Sequence, residues 1–440
     1  MTDALDVVAR IMNHEQTVSG WRKPFGLLGT LAAGLLLVFC FNALVDGYDL
    51  LGSPVWEGFN QAKRPDDMRL FKAYAIQRAP YDALILGSSR SEIGLDPTHP
   101  GWQGYRAYNL AVPGPGVQEI LRYLQHANAA HPIKKVLLGL DFVYFSGRAK
   151  WTSSFIDARL LVDAQGKPQR GTYWKDMLDA TLSKTAIDKS RETIRVSRAG
   201  GVGSHTEQGQ VEHNEPFTYV LRAGGYRPVF RAIENEYLGR DGWGGRPTGE
   251  AYFQYTGGQG STLDGYRAIL AFCHSNQIEV VQIISPIHVH LLMGLQSTGM
   301  AETFALWKQE LVRINHQVAA QYAQPAYPLW DFARVNAWTT EPLPDATQDR
   351  VMDGMQWFWD AAHYRNALGD LVEATVLQGQ EPPPTLGARI DQQTIDDVLA
   401  AEQLALQQYI AEHPDEWTAL AERYPSQRVH KYRRPKRPKP

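Results

Sequence analysis

Cysteine is nearly absent. The 440 residues contain two, Cys40 and Cys273, and Cys40 lies inside an apolar run, so no intrachain disulfide framework is expected. Cys and His at zinc-ligand spacing are missing too, and neither a metal nor another cofactor is expected. Acidic residues are missing from the last thirteen positions, RVHKYRRPKRPKP (428–440), which hold seven Lys/Arg. Without that tail, the 44 basic residues of the chain fall to 37, against 47 acidic ones. That acidic balance excludes nucleic acid as a partner of the body. The tail is broken by proline and reads as disordered, with attraction to an anionic polymer or lipid as its sharper use.

Long hydrophobic runs are also scarce. Residues 25–45, FGLLGTLAAGLLLVFCFNALV, are 21 positions without a charge, and no other stretch is long and apolar enough to span a membrane. As a helix they would cover about 32 Å, enough for the hydrocarbon core of a bilayer. Arg22 and Lys23 precede the run while Asp46 and Asp49 follow it. The bias predicts a cytoplasmic N-terminus (1–24), an uncleaved single-pass anchor (25–45) and a body outside the cytoplasm. A signal peptide would have a shorter apolar core ending in small residues, whereas this one ends Phe39-Cys40-Phe41-Asn42.

Beyond the anchor, apolar strands alternate with amphipathic helices. Strands are expected at 81–86, 105–110, 135–141, 278–284 and 326–332. Helices are expected at 60–80, 117–130, 262–276 and 301–323. This alternation predicts an α/β fold, a flavodoxin-like three-layer sandwich around a parallel sheet. Its catalytic domain would span 60–144 and 262–380. About 135 residues separate the third and fourth strands, far more than one crossover takes. The insertion, 145–261, is expected to hold one helix (173–198) and a mobile Gly-rich part (199–225). It should cap the carboxyl ends of the strands and could offer Trp151, Tyr173 or Trp174 to a sugar face. Residues 389–424 read as two exposed helices separated at His413-Pro414.

Chemistry concentrates at the ends of those strands. The run Ala83-Leu84-Ile85-Leu86 stops at Gly87-Ser88-Ser89-Arg90, where a buried parallel strand emerges into the crevice that binds ligands in open α/β sheets. On these residues alone, serines that merely cap a helix are the simpler reading. Near the other end, Asp360 and His363 are three residues apart, just before or within the first turn of a helix. A carboxylate there can orient an imidazole, leaving its other nitrogen to take a hydroxyl proton. Between them, NLAVPGPG (109–116) contains Pro113 and Pro115, so within 113–116 only Gly114 and Gly116 can offer an N–H. A glycine amide can approach a developing oxyanion closely.

Together these blocks resemble the SGNH (GDSL-type) hydrolase superfamily. Gly87-Ser88-Ser89 is similar to its first block, with Ser89 at the nucleophile position and Ser88 in place of the usual Asp. Asn109 and Gly114 resemble the second block, which implies an oxyanion hole of the Ser89 and Gly114 amides. Asp360-x-x-His363 is similar to the last block. The third departs: Gly139-Leu140-Asp141 lacks the usual Asn, whose loss would remove about 3 kcal/mol of transition-state stabilisation. The combination resembles membrane-anchored members serving alginate acetylation and teichoic-acid D-alanylation beside membrane-bound O-acyltransferases. That implies a serine esterase or O-acyltransferase on a cell-envelope or exported polysaccharide. The alternative is an inactive glycan-binding or scaffold subunit. Arg90, Asn109, Asp141 and His288 are candidate substrate contacts. Trp357, Phe358 and Trp359 form either core or a sugar platform.

Overall fold

Apolar runs closed by Gly, Asp or Pro become strands buried on both faces. The computed structural model describes residues 28–148, 154–381, 383 and 385–426. One sheet contains β1 (Ala83–Leu86), β2 (Ala107–Asn109), β3 (Lys135–Leu140), β4 (Glu279–Ile284), β5 (Leu329–Asp331) and β6 (Ala388–Arg389). Their order is β2-β1-β3-β4-β5-β6. The first five are parallel and β6 runs antiparallel to β5. The molecule is therefore α/β with a mostly parallel sheet. The fifth expected strand narrows to Leu329–Asp331, and the short edge strand β6 was not anticipated.

The helices in chain order are α1 (Leu28–Val45), α2 (Met68–Ala75), α3 (Ser89–Gly94), α4 (Val117–Ala130), α5 (Tyr173–Leu182), α6 (Lys184–Arg198) and α7 (Glu215–Ala223). They continue with α8 (Tyr226–Leu238), α9 (Thr262–Ser275), α10 (Val289–Ser297), α11 (Ala301–Gln321), α12 (Asn366–Gln378), α13 (Ile395–Glu412) and α14 (Pro414–Arg423). The expected helix 60–80 is only α2, started by the Asp67 carboxylate, which accepts the Arg69 amide at 3.0 Å. The chain folds as two compact units.

One unit joins the residues up to Asp66 to Thr172–Gly203. α1 carries no charged residue and has a mean hydropathy of 2.2. It is long and apolar enough to cross a membrane. Its end is tied down. Ser53 Oγ and Asn60 Nδ2 donate to the Leu44 carbonyl at 3.1 and 3.2 Å, satisfying a backbone acceptor that a helix end leaves open. The Asp46 carboxylate accepts the amides of Leu50, Leu51 and Ser53 and pairs with Lys63 at 3.3 Å. Part of the insertion folds here too. Asn42 Nδ2 donates to the Thr181 carbonyl at 2.7 Å, and the Ala62 amide to Ser197 Oγ at 3.0 Å. The single helix expected over 173–198 is two, broken at Ser183. That residue ends α5 and caps α6 by accepting the Ala186 amide at 3.1 Å.

The other unit holds the sheet, the rest of the insertion and the C-terminal helices. Within the expected mobile stretch 199–225, the segment from Ser204 onward carries α7 and a bridge between His205 and Val211. It is also held to β2, where the Asn109 amide donates to the Gln208 carbonyl at 2.8 Å. Further along the insertion, Tyr252 stacks on Phe142 at 4.5 Å. The C-terminal helices, expected as an exposed appendage, divide at His413-Pro414 and dock. The fully buried Lys308 of α11 pairs with Asp331 of β5 at 2.5 Å and with Glu402 of α13 at 2.7 Å. Arg423 reaches Glu234 of α8 at 3.2 Å. The N-terminal 1–24 with Arg22 and Lys23, residues 25–27 of the expected anchor, Trp151 and the tail 428–440 lie outside the described residues.

Candidate active site

β1 ends at Leu86, and its neighbours diverge there: β2 lies on one side and β3 on the other. The crevice beyond such a reversal is where open α/β sheets bind ligands. Gly87 makes the exit possible. Its φ is +151°, and a Cβ on it would come within 2.4 Å of Ser91 Oγ; one on Gly139 of β3 would meet the same atom at 2.1 Å. These two glycines form a niche for Ser91 and let α3 sit close on the sheet. Ser88 caps α3 by accepting the Arg90 amide at 3.2 Å. Ser89 is its first residue and remains partly exposed.

Asp360 and His363 stand in a tight loop just before α12, closed by the Trp359 amide donating to the His363 carbonyl at 2.9 Å. The Asp360 Oδ1 atom accepts the amides of Ala362 and His363 at 2.8 and 2.9 Å. His363 Nδ1 lies 2.8 Å from Asp360 Oδ2, and its Nε2 lies 2.8 Å from Ser89 Oγ. A carboxylate only accepts, so Nδ1 carries the proton and Nε2 is left to accept from the serine hydroxyl. Burial opposes the imidazolium, yet the Asp360 carboxylate more than offsets it and holds the His363 pKa above its ordinary value.

Ser88 is committed elsewhere. Its hydroxyl donates to Asp141, whose other oxygen takes Arg90 Nη1 at 3.0 Å. Asp141 therefore braces the turn beneath Ser89, and both its oxygens have protein partners. Arg90 is buried, with Tyr237 of α8 stacked 5.3 Å from its guanidinium. Its Nε and Nη2 have no partner among the described residues. Asn109 is fully buried. Its Nδ2 donates to the carbonyls of Ser91 and Leu95 at 3.0 and 3.1 Å, closing the end of α3. His288 is likewise internal: Nε2 donates to the Glu341 carbonyl at 2.7 Å, and Nδ1 accepts the His290 amide at 3.3 Å. Burial holds its pKa well below the ordinary value, so it is neutral.

The loop after β2 is pinned along the same rim, the Val112 amide donating to the Gly87 carbonyl at 3.3 Å. Two residues on, Gly114 takes a φ of +57°, with open space where a Cβ would be. Its N–H has no partner among the described residues. Lys72, which nothing in its helical pattern singles out, donates from α2 to the Ala111 carbonyl and pairs with Glu92 of α3 at 2.8 Å. It thereby ties this loop to the serine helix. His205, from the insertion, lies 3.6 Å from the same carboxylate. Phe358 and Trp359 are core rather than an open platform; Trp359 packs on Arg365, His213 and Phe217. Trp357 is half-buried. Within the sheet-bearing unit, then, residues 205–237 of the insertion meet the groups flanking Ser89 and Asp360. Tyr173 and Trp174 fold instead with the end of α1.

The arrangement can move a proton from the Ser89 hydroxyl to His363 while Asp360 steadies the resulting charge, which is what nucleophilic acyl transfer needs. Among the described residues no group of three or more His, Cys, Asp or Glu could hold a metal ion. No family model matches the chain, and none of the curated proteins is similar to it at a meaningful level.

Proposed function

We propose that the chain is a membrane-anchored serine acyl-ester hydrolase or O-acyltransferase with an SGNH-like catalytic domain, acting outside the cytoplasm on a cell-envelope or exported polysaccharide. The observation that carries the reading is the 2.8 Å approach of Ser89 Oγ to His363 Nε2, with Asp360 on the other ring nitrogen. Ser89 Oγ attacks the ester carbonyl as His363 takes its proton. The amides of Ser89 and Gly114 receive the oxyanion, and the leaving alkoxide takes the proton from His363. Water or a glycan hydroxyl then gives its proton to His363 and attacks the acyl-Ser89 ester. Ser89 leaves with that proton. Water makes the protein an esterase, and a glycan hydroxyl makes it a transferase.

The polysaccharide, and a membrane-bound O-acyltransferase as partner, rest on the resemblance of the motifs. The outward-facing body rests on α1 and on Arg22 and Lys23 before it. A glycan-binding scaffold that no longer turns over is the second reading. What favours it is Asp141, a carboxylate held by Ser88 and Arg90 where the resemblance leads one to expect a donating Asn. A fluorophosphonate probe applied to the full chain in detergent separates the two. Labelling of the wild type that disappears in Ser89→Ala supports catalysis. A folded wild-type chain that does not label overturns it in favour of the scaffold.

A further inference from the structure

α1 does not release the chain freely at Val45. Ser53 and Asn60 fold the next loop back onto the Leu44 carbonyl, and Asn42 holds the end of α5. Asn42 is three residues before the end of α1, about 4.5 Å along its axis. Two structures are thus fastened at the last turn of the apolar helix. Both carry large apolar side chains in the open. Val55 and Trp56, in the loop, are 63 % and 43 % exposed; Trp174 and Leu178, one turn apart on α5, are 72 % and 46 % exposed. Tyr173 lies edge-on to Trp174 at 5.8 Å and is exposed as well.

Single exposed apolar residues are ordinary on a soluble surface. These five belong to segments fastened to the end of one helix, whose own Phe41 and Leu44 are also exposed in its final turns. We propose that this collar is a membrane-contact surface, with Trp56 and Trp174 seated in the headgroup–acyl boundary of the bilayer that α1 crosses. Val55, Tyr173 and Leu178 extend the contact. An indole joins an apolar body to one N–H donor and so favours that boundary. Lys175 and Asp179 are also exposed on α5. Charges of this kind are tolerated among headgroups and costly in hydrocarbon, which sets the depth as shallow. The proposal rests on the membrane-spanning reading of α1 and is independent of the Ser89 chemistry.

The test uses the full chain in phosphatidylcholine–phosphatidylglycerol vesicles. Cys40→Ser supplies the background, since Cys273 is fully buried. Trp56→Cys, Trp174→Cys and Leu35→Cys are labelled separately with an environment-sensitive fluorophore. Nitroxides placed near the glycerol or at the chain ends of the lipid, and iodide in the water, act as quenchers. The collar labels should lose most of their emission to the shallow nitroxide and resist iodide, while the label at position 35 should be quenched by the deep one. A collar label open to iodide, or protected from both lipid and iodide, overturns the collar while position 35 still reports the span. Failure at position 35 removes the span and the collar together.

Discussion

His363 has its Asp360 partner three residues away, and that carboxylate favours the charged imidazole. A general base must be neutral, so probe labelling of Ser89 should rise with pH through a value above the ordinary histidine one. Asp360→Asn removes the stabilising charge. The acid limb should then move to lower pH, and the rate on the high-pH plateau should fall by about 10⁴. Labelling rates of both proteins across pH 5–9 check this; an unmoved limb would mean that Asp360 is not the partner. The three residues were legible because their types and spacing carry the chemistry. The proposed substrate contacts were less so. Asn109 and Asp141 stand at strand ends and His288 caps α10 four residues past β4, but each turns inward to protein partners. Sequence gives a residue's place along a strand. The direction of its side chain depends on neighbours that arrive from elsewhere in the chain, as Lys72 and Tyr237 do.

Two helices set the distance between Ser89 and His363, and glycine lets them approach. A Cβ on Gly94 of α3 would come within 2.1 Å of the Tyr364 ring, and one on Gly369 of α12 within 1.7 Å of the Gly94 carbonyl. Tyr364 is fully buried and cannot swing into solvent. Gly94→Ala should therefore destabilise the protein by about 1–3 kcal/mol. It should also slow probe labelling, because the displaced ring adjoins His363; thermal melting and labelling rate report the two effects. At α13, burial first and then the Asp331 charge push Glu402 up to about 8, against the pull of Lys308. The folded state keeps this proton where an unfolded carboxyl, near 4.5, has lost it. Its stabilising contribution is thus full below that ordinary value and is lost as pH rises through about 8. Protection factors in α13, that is, exchange rates corrected for the intrinsic base-catalysed rate at each pH, should fall between pH 6 and 8.5 in the wild type and much less so in Glu402→Gln. At this scale the places of five strands along the chain were legible from its apolar runs. The break at Ser183 and the docking of α13 were not, because neither interrupts a helical pattern in the sequence.

Between β3 and β4 the chain visits both units. It passes from the sheet-bearing unit to the one containing α1 at residue 172 and returns at residue 204, having already crossed once between Asp66 and Asp67. Hydrophobic patterning could reveal the insertion's length but not this divided allegiance, which rests on contacts far apart in sequence such as Asn42 to Thr181, Ala62 to Ser197 and Lys189 to Asp66. The segment 172–203 is joined covalently to the sheet-bearing unit at both ends while it packs with α1. A protease site introduced between Asp66 and Asp67 would sever the only direct covalent link from α1 to the sheet. The sheet-bearing unit should nevertheless stay with the membrane pellet after the cut, since α5 and α6 still grip the end of α1 and the loop behind it. Detergent or mild denaturant should release it. Release by the cut alone would show the grip to be weak. One proteolytic cut just after α1 is thus not enough to part the sheet from that helix, because the segment that grips α1 joins the sheet-bearing unit at both of its own ends.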